Sequence, residues 1–94
     1  MKMELEDLVV DKLRTIVDPE IQQNVFDAGL IPELFVSPLG VVELTFRPSS
    51  TVCPLAWYLG AEIKKAVLAV PGIKKVKIRV IDFVEAEKLE HFLE

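Results

Sequence analysis

A chain of 94 residues leaves room for one domain, residues 1–94, and an apolar content of 51% supplies a core instead of a disordered chain. A formal net charge of −4 argues against nucleic acid as the main partner, and a single cysteine excludes an internal disulfide. The acidic opening, Met1 to Asp7, lacks the basic-then-apolar order of a signal peptide, and no apolar run approaches the ~18 residues of a spanning helix, so a cytoplasmic protein with no membrane partner is expected.

Residues 4–17 have the spacing of a helix, with Leu5, Leu8, Val9, Leu13 and Ile16 along one face. Asp18-Pro19 ends it, because the residue before proline avoids helical geometry. Residues 19–29 are polar and irregular. Asp18, Glu20, Asn24 and Asp27 fall here, and such side chains cap turns as readily as they do chemistry. The composition predicts a loop held by its own side chains. Leu30–Val36 and Gly40–Phe46 follow as two strands, with turn chemistry at Ser37-Pro38-Leu39-Gly40 between them.

The pattern changes at Ser49-Ser50-Thr51-Val52-Cys53-Pro54-Leu55. Beyond it apolar residues recur at helical spacing, through Leu55, Leu59, Ile63 and Val67, until Val70-Pro71-Gly72 stops the helix. Proline favours the first helical position, which makes Cys53 the expected N-cap. There, unpaired backbone N–H groups and the helix dipole would favour thiolate over thiol. The competing reading is a small buried hydrophobe. Trp57 reads as core packing. Ile73–Phe83 reads as a strand whose Lys75, Lys77 and Arg79 alternate with Val76, Ile78 and Val80, a solvated face against a buried one. Residues 84–94 read as a short amphipathic helix. His91, the only histidine, is a weak ligand candidate. The fold class is therefore α+β: a two-layer domain of order α-β-β-α-β-α, with a three-stranded sheet and helices mainly on one face.

The chemistry is narrow. There is no phosphate-binding glycine loop and no C-x-x-C, and no histidine lies close to Cys53 in sequence. Asp18, Glu20, Asp27 and Cys53 suggest a mixed thiolate–carboxylate site. A stable iron–sulfur cluster typically takes four cysteines, so one chain of this kind would hold a cluster only transiently or bridged to another chain.

Several separated pieces together resemble one family. They are Asp18-Pro19-Glu20, then Asn24-Val25-Phe26-Asp27-Ala28-Gly29-Leu30-Ile31, the strand end Leu44-Thr45-Phe46, Thr51-Val52-Cys53-Pro54-Leu55, and Val70-Pro71-Gly72-Ile73-Lys74-Lys75-Val76. Their order is similar to that of the metal–sulfur cluster biosynthesis family of small PaaD-like and SufT-like proteins, which includes the cytosolic iron–sulfur targeting protein of eukaryotes. The resemblance spans roughly residues 5–82. It implies an iron–sulfur assembly-type domain that matures or delivers clusters, with Cys53 as the functional residue and Thr51, Asp18, Glu20 and Asp27 close to it. Many members carry a proline- and tryptophan-containing tail, where this chain has Asp82-Phe83-Val84-Glu85-Ala86-Glu87 and a helix.

The reading that follows is a non-enzymatic assembly or targeting factor. Its cargo is iron or an iron–sulfur cluster. Its partners are apo-iron–sulfur proteins and other assembly factors, and two chains would associate around any stable cluster. Its rivals are a protein-interaction module with an inert Cys53 and a small thiol-dependent enzyme using His91. An RNA-binding α/β domain is a third, disfavoured by the acidic balance and the missing G-x-x-G loop.

Overall fold

The computed structural model describes residues 4–94. Helix α1, Leu5–Leu13, carries Glu6 and Asp7 in its first turn and Lys12 in its last, each suited to the dipole at its end. It stops four residues short of the expected boundary. The amides of Thr15 and Ile16 bond back to the carbonyls of Lys12 and Leu13, so the chain leaves the helix in a tight turn. Val17 and Asp18 are then extended, as a residue before proline prefers.

The polar stretch after α1 is more ordered than a self-capped loop. Strand β1, Val17–Asp18, pairs antiparallel with β2, Gln23–Asn24, and makes a small ribbon with Pro19 to Gln22 at its tip. The Gln22 amide donates to the Asp18 carbonyl at 2.8 Å, and Gln22 takes a left-handed φ of 54° to close the turn. The side-chain contribution also exists: Asn24 accepts from the Asp27 amide at 2.8 Å.

The main sheet has the order β3-β4-β5, with β3 at Glu33–Val36, β4 at Val41–Phe46 and β5 at Lys75–Val80. β3 and β4 form the expected hairpin, and β5 runs parallel to β4 after a crossover through helix α2, Ala56–Leu68. The register sets Val42, Leu44 and Phe46 beside Val76, Ile78 and Val80, and all six are buried. The opposite face sets Glu43 beside Lys77, so the basic row of β5 is exposed and neighboured by acid. α2 buries Leu59, Ile63 and Val67 completely, and packs on both β5 and α1.

Strand β5 is shorter than Ile73–Phe83. The Ile81 amide still reaches the Phe46 carbonyl at 3.1 Å, but Asp82 turns the chain with a φ of 52°. Helix α3, Ala86–Phe92, then packs beside β5 and against α2. A Cβ on Gly60 would lie 3.0 Å from a Leu93 methyl, so the absent side chain sets how closely the two helices meet. Trp57 meets Phe92 edge to face with ring centroids 5.2 Å apart, in the packing role its spacing suggests. Tyr58, one position on, is exposed.

Candidate functional site

Cys53 stands where the loop after β4 turns into α2. The helix does not open on it. Its first residue is Ala56 and its cap position is Leu55, and a turn intervenes in which the Ala56 amide donates to the Cys53 carbonyl at 3.3 Å. A second turn precedes it, with the Cys53 amide donating to the Ser50 carbonyl at 3.2 Å. The expected N-cap is therefore corrected. Pro54 occupies a tight turn, where its fixed φ serves as well as it would in a first helical turn.

These two turns fold the thiol inward. Cys53 is 2% exposed and belongs to the hydrophobic core. Its Sγ nevertheless has two polar neighbours. The Ser49 hydroxyl donates to it at 3.8 Å, and the thiol points to Oε2 of Glu20 at 3.9 Å. Glu20 arrives from the tip of the β1–β2 ribbon, 33 positions away in sequence. Both partners are exposed residues, so the buried sulfur touches solvent-facing groups on two sides.

Asp18 fixes the ribbon tip. It is fully buried, and its Oδ1 accepts from the Glu20 amide at 2.9 Å. Its Oδ2 is buried with no hydrogen-bond partner among the described residues. A half-satisfied buried carboxyl costs about 1–3 kcal/mol, so stability alone does not account for the residue.

The remaining candidates are placed differently. Asp27 bonds to Asn24 at 2.9 Å and to the Arg14 guanidinium at 3.2 Å, and neither partner belongs to the thiol's surroundings. The Asn24 hydrogen bond, helped by Arg14 and partly opposed by desolvation, holds its carboxyl below the usual carboxylate range. Thr51 is exposed, and its carbonyl accepts from the Val84 amide at 2.9 Å, so its link to the site runs through the backbone. His91 is exposed at the far end of α3 and faces Glu94 at 3.4 Å. From sequence, Ser49 is one of the hydroxyls in the stretch before Cys53, with no role of its own. The signal available was a hydroxyl four positions before the cysteine, across the turn.

No group of three or more His, Cys, Asp or Glu among the described residues is arranged to hold a metal ion. What the arrangement offers is one soft donor, one carboxylate and one hydroxyl in contact. Such a set can exchange a proton and bind a soft cation by one bond, the other ligands coming from elsewhere.

The match that decides the family is to the model of the iron–sulfur cluster assembly protein, over residues 6–80. This chain belongs to that family. Among its relatives is an Fe-S protein maturation auxiliary factor of Porphyromonas gingivalis, 38% identical over 76 residues, which are 81% of this chain and 72% of that one. A second auxiliary factor, from Bacillus subtilis, is 27% identical over 86% of this chain and 79% of its own length. An iron-sulfur cluster carrier protein of Synechocystis is 31% identical over 79% of this chain, and the match spans only 21% of that longer protein. The fold of the iron–sulfur assembly family recurs in a crystal structure of a domain of unknown function from Bacillus anthracis. The TM-score is 0.75 at 18% identity, covering 96% of this chain and 93% of that one. It recurs again, with a TM-score of 0.56 and 23% identity over 95% of this chain and 85% of the other, in a Mycobacterium tuberculosis protein described as associated with [Fe-S] complex assembly and repair. The family resemblance in the sequence and the α+β class both hold. No helix among the described residues is long and apolar enough to cross a membrane.

Proposed function

We propose that this protein is a non-enzymatic maturation factor of the cytoplasm that receives an iron–sulfur cluster, or its iron, through Cys53 and passes it to apo-proteins. One observation carries the reading: the only thiol of the chain meets a carboxylate and a hydroxyl where two loops converge, in a family whose relatives are named for maturation and cluster carriage. The cluster is cargo. One thiolate supplies one of the roughly four ligands a cluster takes, so the others come from the donor, the client or a second copy of this chain. Glu20 and Asp18 shape the site, and Thr51 helps hold the cysteine loop in place through its carbonyl. Because the sulfur is buried, loading requires the loop of residues 47–55 to open or a partner to part it from the ribbon tip.

Anaerobic reconstitution with iron and sulfide tests this reading, followed by absorption spectra, metal counting and sedimentation. Wild-type protein is expected to take up a cluster together with dimer formation, or to pass it on to an apo-protein. Cys53→Ser is expected to do neither.

Burial of the thiol favours a second reading, an interaction module with an inert cysteine. Alkylation that occurs only on unfolding, together with full delivery by Cys53→Ser, would select it.

A further inference from the structure

One face of the main sheet is apolar and lies in the core. The other face carries the alternate residues of each strand: Glu33 and Phe35 on β3, Glu43 and Thr45 on β4, Lys77 and Arg79 on β5. All but Thr45 are exposed, Phe35 at 61%. The charges are sorted by strand, with acid on β3 and β4 and base on β5. Lys75 and Glu90 add one charge of each sign at the border. Among the described residues, none of these charged groups takes part in an ion pair. The register explains why for the outer two. Glu33 and Arg79 share one level of the sheet, but Thr45 stands between them. Two strand spacings, about 10 Å, keep them from pairing within one copy. A face sorted in this way is neutral overall and complementary to itself when turned over.

From this pattern we infer that a second copy of the chain docks on this face, sheet against sheet. Two axes can relate the copies. An axis across the strands sets β3 over β3, acid over acid. An axis along the strands reverses the strand order instead, so β3 of one copy lies over β5 of the other. That rotation keeps each residue at its level along the strands. Glu33 then faces Arg79 of the second copy, and Phe35 faces its Lys77, where the ring can take the cation on its face. The two Glu43 meet near the axis with a Lys77 of each copy beside them. Charge therefore selects the axis along the strands. The choice has a consequence for the site. It brings the same ends of the two sheets together, and the cysteine loop leaves the end of β4 in both copies. Both Cys53 then belong to one end of the dimer, where the other axis would set them at opposite ends. The interface stands on the charge pattern, and its value for sharing a cluster rests on the proposed role of Cys53. The face measures about 10 by 20 Å, less than the about 800 Å² per partner of a standard interface, so the dimer is weak and held by charge.

Sedimentation equilibrium of the metal-free protein tests this, with chelator present to prevent metal bridging and reductant to prevent a disulfide. Concentrations up to about 0.5 mM suit a pair of this size. Wild type should dimerise, and raising the salt from about 20 mM to about 500 mM should weaken the dimer at least about tenfold. Two double charge reversals single out the face. Glu33→Lys with Glu43→Lys makes it basic throughout, and Lys77→Glu with Arg79→Glu makes it acidic throughout. Each variant alone should be monomeric, and an equimolar mixture should pair at least as tightly as wild type. Circular dichroism checks that both fold. Should either fail to, the milder Arg79→Gln should still weaken the dimer about threefold or more. A wild-type protein that stays monomeric overturns the inference. A dimer indifferent to salt and to these substitutions overturns it too, and places the contact on another face. A mixture of folded reversals that stays monomeric also overturns it. So does a face that binds an apo-protein and never a second copy. Cluster delivery is scored separately. A dimer with the predicted charge dependence that delivers nothing contradicts the proposed function and leaves the interface standing.

Discussion

Cys53 is buried as a structural cysteine would be, yet it keeps two polar partners that an inert core thiol does not need. Serine in its place offers the same donor and acceptor, and both partners sit on exposed residues that can close the 3.8 and 3.9 Å contacts to hydroxyl range. Cys53→Ser should therefore keep the fold, with unfolding free energy by denaturant titration within about 1 kcal/mol of wild type. Asp27 gives a contrasting expectation. Its carboxyl is held below the ordinary range, so its contribution to stability is present above the unfolded carboxylate pKa of about 3.9 and is lost as pH falls through the lower folded value. Asp27→Asn should flatten that acid-side loss in a melting series against pH, and should leave cluster delivery unchanged. Lost delivery at an unchanged melting temperature would return Asp27 to the site. Cys53, Glu20 and Asp18 were legible in the sequence as residue types with the right chemistry. Their geometry was not, because contact between Glu20 and Cys53 depends on how a turn of four residues is closed. Asp27 looked equivalent to them in composition, and only its bonds to Asn24 and Arg14 separate it.

At the scale of elements, the long periodic segments were the readable ones. α2 buries Leu59, Ile63 and Val67 as their spacing predicts, and β4 and β5 set their alternating apolar residues on one face. Leu59→Ala should cost about 2–5 kcal/mol by chemical denaturation, through lost burial and a cavity. A cost below about 0.5 kcal/mol would mean that this face is not in the core. The β1–β2 ribbon was unreadable because strands of two residues show no periodicity, and its pairing comes from the turn that joins them. The opening of α2 was misplaced for a related reason. Proline serves a first helical turn and a tight turn equally well, and the choice is made by the two successive turns around Cys53.

For the molecule as a whole, one close approach joins the β3–β4 turn to the end of the crossover. Gly40 has a φ of 90°, and a Cβ there would collide with the Gly72 carbonyl. The Gly40 carbonyl also accepts the Lys74 amide at 2.7 Å, which aligns β5 with β4. Gly40→Ala should destabilise by more than about 1 kcal/mol, read from the denaturation midpoint, and a neutral effect would contradict this packing. The same assembly brings the ribbon tip and the cysteine loop together, and the account of function depends on their meeting. Its most direct test is anaerobic transfer of a preformed iron–sulfur cluster from this protein to an apo-protein, with wild type and Cys53→Ser compared at equal folded concentration. The account predicts transfer by the wild type and none above the spontaneous background by the variant. Equal transfer by both would contradict it.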